Sequence, residues 1–407
     1  MNRVRILPTG PRQFFLRHAA HRGDLFEVFW SGPASPPDTP DYFLLLGVDS
    51  LGTTAESLRH ALQDEATKRA LAGGCALLLD CSTEGPALSR DHLFQIHLAF
   101  EQLKVSPSRV VFLHQNGALE AQYRSWLREY PAFAPMRLFE YHFYLQDLVV
   151  RRRHAGPDLA QTRALVNRSL AGGTKRFLCL NNRAKEHRLV VLGHLARHGL
   201  LGDGVVSFRL GRYGADDYAI DGVIPRAEAT FPGFAEDIAA FRALRPGLPL
   251  LPQESLDEAE IAHEDGFALH HRAFLSLVTE SEMRADVSRF TEKTLKALIN
   301  GMPFLVAGNR GTLAALRALG FESFAPLIDE SYDDIAEPGA RLAACLAEFR
   351  RLMALTPAAF EALFERLWPV ASHNRDHFTQ GLQLRALEQE RGLMRLLRAA
   401  LAQDAPV

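Results

Sequence analysis

Apolar residues along this chain recur in short unbroken runs, separated by longer stretches in which polar residues interleave at helical spacing. The runs read as strands buried on both faces and the mixed stretches as amphipathic helices. In the first half the strands fall at 25–30, 41–48, 74–80, 109–114 and 136–143, with helices at 53–70, 89–103 and 117–130. The proline-rich segment SGPASPPDTPD after Trp30 excludes regular structure. Strands alternating with helices predict one α/β domain. A helical connection over 145–174 carries Arg151, Arg152 and Arg153, a run whose ordinary reading is a solvated face.

The second half repeats the rhythm. A strand at 175–180 (KRFLCL) runs into Asn181-Asn182-Arg183-Ala184-Lys185-Glu186-His187-Arg188, at the start of a helix that ends near Gly199. Another strand follows at 205–210, and 244–256 reads as a loop. The run at 274–278 stops abruptly at Thr279, Glu280 and Ser281. Thr291 then reads as an N-cap, with Glu292 and Lys293 in the first turn and Leu295, Leu298 and Ile299 as the apolar face. Gly301 stops that helix, 303–307 is a strand, and 312–319 is a helix ended by Gly320. Two successive β-α units predict a parallel sheet, whose ligands sit at the carboxyl ends of the strands. The last helices are predicted at 339–353, 357–368 and 373–400.

Two segments at those strand ends carry candidate chemistry. A helix N-terminus suits a phosphate, and Lys293 just inside it adds a full charge. Glu292 would repel a bare phosphate, so its matching task is to accept hydrogen bonds from a ribose diol. The plainer alternative has Glu292 favouring the helix dipole and Lys293 as solvated surface. In the other segment, Arg183 and Arg188 can fork onto phosphate oxygens, with Lys185 as a point charge and Asn182 beside them. Its alternative is a charged first turn in which Glu186 pairs with a neighbouring arginine.

The ordered segments TE, TEK-x2-KAL-x2-G-x-PFLV-x-G, L-x2-LR-x-LGF-x-SF and IDESYDD resemble the nucleotide-binding half of GT-B glycosyltransferases. They are most similar to fucosyltransferase-like enzymes with a Ser/Thr-Glu-Lys motif, over residues 174–380. The resemblance implies a GT-B fold of two Rossmann-like α/β domains facing across a cleft. It places an N-terminal domain at 1–165, a nucleotide-sugar domain at 174–370, and helices at 371–407 returning toward the first domain. It implies a nucleoside diphosphate sugar donor, pointing to a GDP-sugar, with Glu280, Ser281 and Thr291 beside Glu292 and Lys293, and a basic group such as Arg183 on the diphosphate. Inverting transfer to a hydroxyl of a glycan or other acceptor also needs a base. Glu84 and Asp80, just past a buried strand, are the first candidates; His114, Glu140 and His263 are reserves. A nucleotide-sugar epimerase or hydrolase of the same fold, and a non-catalytic nucleotide-sugar-binding protein, remain as alternatives.

Composition narrows this further. The 407 residues, 47% hydrophobic and 23% charged, suffice for two globular domains. A net charge of −2 implies no general attraction to nucleic acid. Four scattered cysteines with neither metal spacing nor a disulfide framework suggest a reducing cytoplasm. No apolar run approaches a membrane span, so any membrane contact would be peripheral. No metal or other cofactor is expected. The acidic 329–334 run precedes a helix, while His270-His271 and His194 with His198 match structural histidines more often than ligands.

Overall fold

The computed structural model describes residues 3–9, 14–30, 37, 39–152, 168–209, 220–250 and 267–402. His263 and Arg153 lie outside these residues; Arg151 and Arg152 are helical, with their side chains outside the description. The chain divides into two compact units. The first comprises 1–150, 286–289 and 383–407; the second comprises 151–285 and 290–382.

In the first unit the strands are β1 (Val4–Pro8), β2 (Phe26–Val28), β3 (Tyr42–Gly47), β4 (Ala76–Cys81), β5 (Val110–His114) and β6 (Arg137–Glu140). They form one parallel sheet in the order β2-β1-β3-β4-β5-β6. The unbroken apolar runs have the cause read from the sequence. Leu44, Leu46, Leu77 and Leu79 enter one core, and Phe43, Leu45, Ala76 and Leu78 enter another on the opposite face. Leu393, Met394, Leu397 and Ala400 of the last helix (Leu382–Leu401) pack into the second core.

Three expectations for this half need correction. The first strand is β1, followed by a helix at Phe14–His21, both ahead of the expected start at residue 25. The helix expected over 53–70 is two, Leu51–Ala61 and Glu65–Ala72, because Asp64 caps the second by accepting from Thr67 N at 2.8 Å. The run at 136–143 is shortened to β6, with a helix starting at Phe143.

The second unit has β7 (Lys175–Asn181), β8 (Gly204–Phe208), β9 (Ala273–Thr279) and β10 (Phe304–Ala307), all parallel, in the order β10-β9-β7-β8. The chain first lays β8 on one flank of β7 and then β9 on the other. The order therefore reverses between β7 and β9, where a parallel sheet opens a crevice beyond its strand ends. The α/β class with two separate parallel sheets is thus what the chain adopts. Helices Ile220–Thr230 and Ala235–Leu244, unread in the sequence, connect β8 toward β9. Among the described residues no helix is long and apolar enough to cross a membrane. All four cysteines are free and buried.

Helix Glu186–Arg197 lies so close to Ala235–Leu244 that a Cβ on Gly193 would stand 1.9 Å from the Asp237 carbonyl oxygen. Backbone cannot yield as a side-chain tip can. Gly193→Ala should therefore destabilise the second unit by about 1–3 kcal/mol, read as a lower chemical-denaturation midpoint. An unchanged midpoint would contradict the close packing.

Candidate functional site

Where β7 and β9 part, side chains take over from the ladder. Thr279 Oγ1 donates to Asn181 Oδ1 at 2.6 Å, joining the two strand ends. The next residue, Glu280, is 1% exposed, yet its carboxylate is fully engaged. Oε1 accepts from Thr291 N at 2.9 Å and Thr294 Oγ1 at 2.5 Å; Oε2 accepts from Thr291 Oγ1 at 2.6 Å and Ser281 N at 3.2 Å. It thereby fixes the start of helix Glu292–Ile299, which Thr291 caps by accepting from Lys293 N at 3.4 Å. Gly308 makes room for it, since a Cβ there would meet Glu280 Cγ at 3.1 Å.

The Glu280 carbonyl is held from the other β-α unit. Arg188 Nη2 donates to it at 2.9 Å and to Thr279 O at 3.3 Å, while Nη1 donates to Arg183 O at 3.2 Å. His187 Nε2 donates to the same Glu280 oxygen at 2.8 Å. Burial, reinforced by the Arg188 charge, drives the His187 pKa down to about 3, so the ring stays neutral. Arg188 is 3% exposed. Its guanidinium, expected at a phosphate, is turned instead onto backbone carbonyls. Glu280, expected at the sugar or ribose edge, holds the helix start together with Thr291, the N-cap read from the sequence. The hydrogen bonds of these three side chains are made within the fold, and Arg188 Nε is buried with no partner among the described residues.

What remains accessible is narrower than the expected set. Glu292 and Lys293 are partly exposed, at 21% and 23% of their side chains, and their charged ends meet at 2.6 Å. Lys293 Nζ also donates to Ser281 Oγ at 3.1 Å and Thr291 Oγ1 at 3.2 Å. Asn182, Glu292, Lys293 and Lys296 line one hollow with Thr279 and Leu180. Arg183 is exposed on the turn after β7 and does not line that hollow; Lys185 follows it, half-buried. Helix Glu186–Arg197 begins at Lys185 without a side-chain cap, which leaves its first-turn N–H groups as ready anion donors. Glu186 pairs with Arg226 at 2.6 Å, an arginine 40 residues on rather than the neighbouring one expected from the sequence.

In the first unit, Asp80 is 5% exposed and accepts from Phe15 N at 2.9 Å and from Ser82 N and Oγ at 3.1 and 2.5 Å. Burial pushes its carboxyl up, against the pull of these donors. It caps the Phe14–His21 helix and a turn. Glu84 is the more open acid, 39% exposed, and pairs with Arg289 Nη2 at 2.9 Å. Arg289 itself is buried, donates to Thr83 O at 3.0 Å and lies against Gly85, whose Cβ would stand 2.4 Å from Arg289 Cδ. That pairing is not legible in the sequence, since Arg289 comes from the 286–289 segment, distant in the chain from the Glu84 turn. His114 is buried, and burial lowers its pKa to about 4. Glu140 accepts from His142 Nε2 at 2.7 Å; burial pushes its carboxyl up, but that contact holds it below its ordinary value.

No protein-family model matches the chain, and no curated protein is recognisably similar in sequence. Among solved structures it is similar to an α,α-trehalose-6-phosphate synthase of Burkholderia multivorans, at 12% identity and a TM-score of 0.38, over 97% of this chain and 82% of that one. A UDP-forming α,α-trehalose-phosphate synthase of Burkholderia vietnamiensis is similar at 14% identity and a TM-score of 0.43, over 90% and 74%. The N-terminal domain of a Candida albicans trehalose-6-phosphate phosphatase is similar at 10% and 0.40, over 96% and 97%. At such values the chemistry rests on this chain's own residues.

The Glu292–Lys293 pair has a pH signature. Burial pushes the Glu292 carboxyl up, but the Lys293 ammonium and its hydrogen bond outweigh this and hold it at about 2. A carboxyl held below its unfolded value of 4.5 stabilises the fold above that pH and loses the contribution as pH falls toward 2. Glu292→Gln should flatten the stability-versus-pH curve across this window. An equal slope in variant and parent would show that Glu292 is not so held.

Proposed function

We propose that the second unit binds a nucleoside diphosphate sugar and that the protein is a GT-B glycosyltransferase, passing the sugar to a hydroxyl of a glycan or other acceptor. The observation that carries this reading is an ionised carboxylate and an ammonium, adjacent on the first turn of a helix that starts at the sheet's order reversal. Glu292, held ionised, accepts hydrogen bonds from the ribose diol. Lys293 meets the diphosphate, which replaces one of its two longer contacts, at Ser281 Oγ or Thr291 Oγ1. The uncapped first turn after β7 supplies N–H donors to the same anion, with Arg183 and Lys185 adding charge. Asn182 lines the hollow beside them.

Transfer requires the leaving diphosphate to be stabilised as positive charge develops on the sugar, which these cations and N–H groups do from fixed positions. It also requires a base for the acceptor hydroxyl, and Glu84, oriented by Arg289, is our assignment. The Thr-Glu-Lys segment at 291–293, with its likeness to fucosyltransferase-like enzymes, favours a GDP-sugar as donor and inverting transfer without a metal.

A thermal-shift panel of GDP, UDP and ADP should give one clear stabiliser. Lys293→Ala should weaken that nucleotide by roughly 10- to 100-fold, the worth of one charge-assisted hydrogen bond. Binding equal to the parent's would remove Lys293 from the site. Glu84→Gln should retain nucleotide binding and lose transfer; full transfer by this variant would place the base elsewhere.

A further inference from the structure

Helix Glu186–Arg197 carries a second cluster on its far turn. We propose that His194, His198 and Asp237 bind a divalent transition metal of the zinc class, with a coordination position open to a neighbouring cavity. His194 and His198 are four residues apart, so both rings leave the same side of the helix, with centroids 4.4 Å apart. Asp237 comes from the first turn of Ala235–Leu244, with Oδ1 3.1 Å from His194 Nδ1. One ligand atom from each of the three residues lies within 4.8 Å of the others. Zinc bonds to nitrogen and oxygen of about 2.0–2.2 Å set tetrahedral ligand atoms a little over 3 Å apart. The His194–Asp237 pair already has that spacing, and His198, at the surface, closes the third side by rotating its ring.

Burial and packing both suit a bound ion. His194 and Asp237 are 5% and 4% exposed. His194 Nδ1 is the ring nitrogen that faces Asp237 Oδ1, at 3.1 Å, while Nε2 on the far side of the ring is buried with no hydrogen-bond partner among the described residues. Gly193 provides the close approach that brings Asp237 under the histidines. Beside the triad lies a cavity of about 470 Å³, whose lining includes Phe231, Phe234, Arg197 and Arg350.

The surrounding charges fix what the open position takes. Arg197 stands 3.6 Å from Asp237 Oδ1 and pairs with Glu236, while Glu337, also on the cavity, is engaged with Gly339 N and Ala340 N. Two arginines beside a dication favour an oxyanion as the remaining ligand, carried with the metal. Two imidazoles and one carboxylate match zinc, with nickel and copper as competitors on affinity and calcium or magnesium excluded by the nitrogen donors.

The chelator-stripped protein titrated with Zn²⁺ should take up one ion at this site, and Co²⁺ should give the visible absorption of a low-symmetry site. His198→Ala, at an exposed position, should keep the fold, weaken Zn²⁺ by roughly tenfold or more and abolish the Co²⁺ bands. His60→Ala, an exposed histidine elsewhere, should leave both unchanged. Parent protein without Co²⁺ bands, or His198→Ala binding Zn²⁺ as tightly as the parent, would overturn the assignment. Nucleotide binding by His198→Ala is read separately and bears only on the donor site.

Discussion

A buried carboxylate that bonds to no lysine or arginine side chain among the described residues is the constraint on which the second unit's site depends. Glu280 is compensated by four donors, two backbone N–H groups and two threonine hydroxyls, rather than by one ion pair. An ionised group out of water is costly unless every lone pair is met, and hydrogen bonds to a charged acceptor contribute about 1.5–3 kcal/mol each. The helix after β9 therefore starts at one place and in one orientation. Lys293 and Glu292 owe their common exposure to a residue that never reaches the surface.

The same residue joins the two β-α units. Its side chain secures the helix that follows β9, while its carbonyl is clipped by Arg188 and His187 from the helix that follows β7. Two helix N-termini are thereby referred to one point at the sheet's order reversal. A loop joined by weaker contacts would let them drift independently, and an anion shared between them would lose its geometry. Arg188 also sets a positive charge beside the buried carboxylate, which offsets part of its desolvation.

What could be read from the sequence follows the range of each interaction. The strands other than β1 were legible because residues buried on two faces need unbroken apolar runs. Thr291, Gly301 and Gly320 were legible because caps act within a few residues. β1 was missed because five residues near a terminus give too little pattern, and the break at Asp64 because a cap inside a periodic stretch looks like one more polar position. Tertiary pairings were out of reach altogether. Arg188 meets carbonyls about 90 residues on, Arg289 meets Glu84 from a distant segment, and Asp237 stands 43 residues from His194. Each has the right charge for chemistry, and only packing says how that charge is used.

Arg188 and Lys293 make the distinction concrete. Both occupy the first turn of a helix at the carboxyl end of a parallel strand, and both are basic residues. Arg188 is 3% exposed and surrounded by carbonyls, so a phosphate could reach it only by dismantling the strand ends it ties together. Lys293 holds a neighbouring carboxylate and two hydroxyls, acceptors that can be exchanged without moving backbone. Arginine's rigid fork suits fixed carbonyls, and lysine's flexible stem suits exchange of partners. Which cation the fold leaves replaceable at this sheet edge is thus a property of packing that no motif encodes.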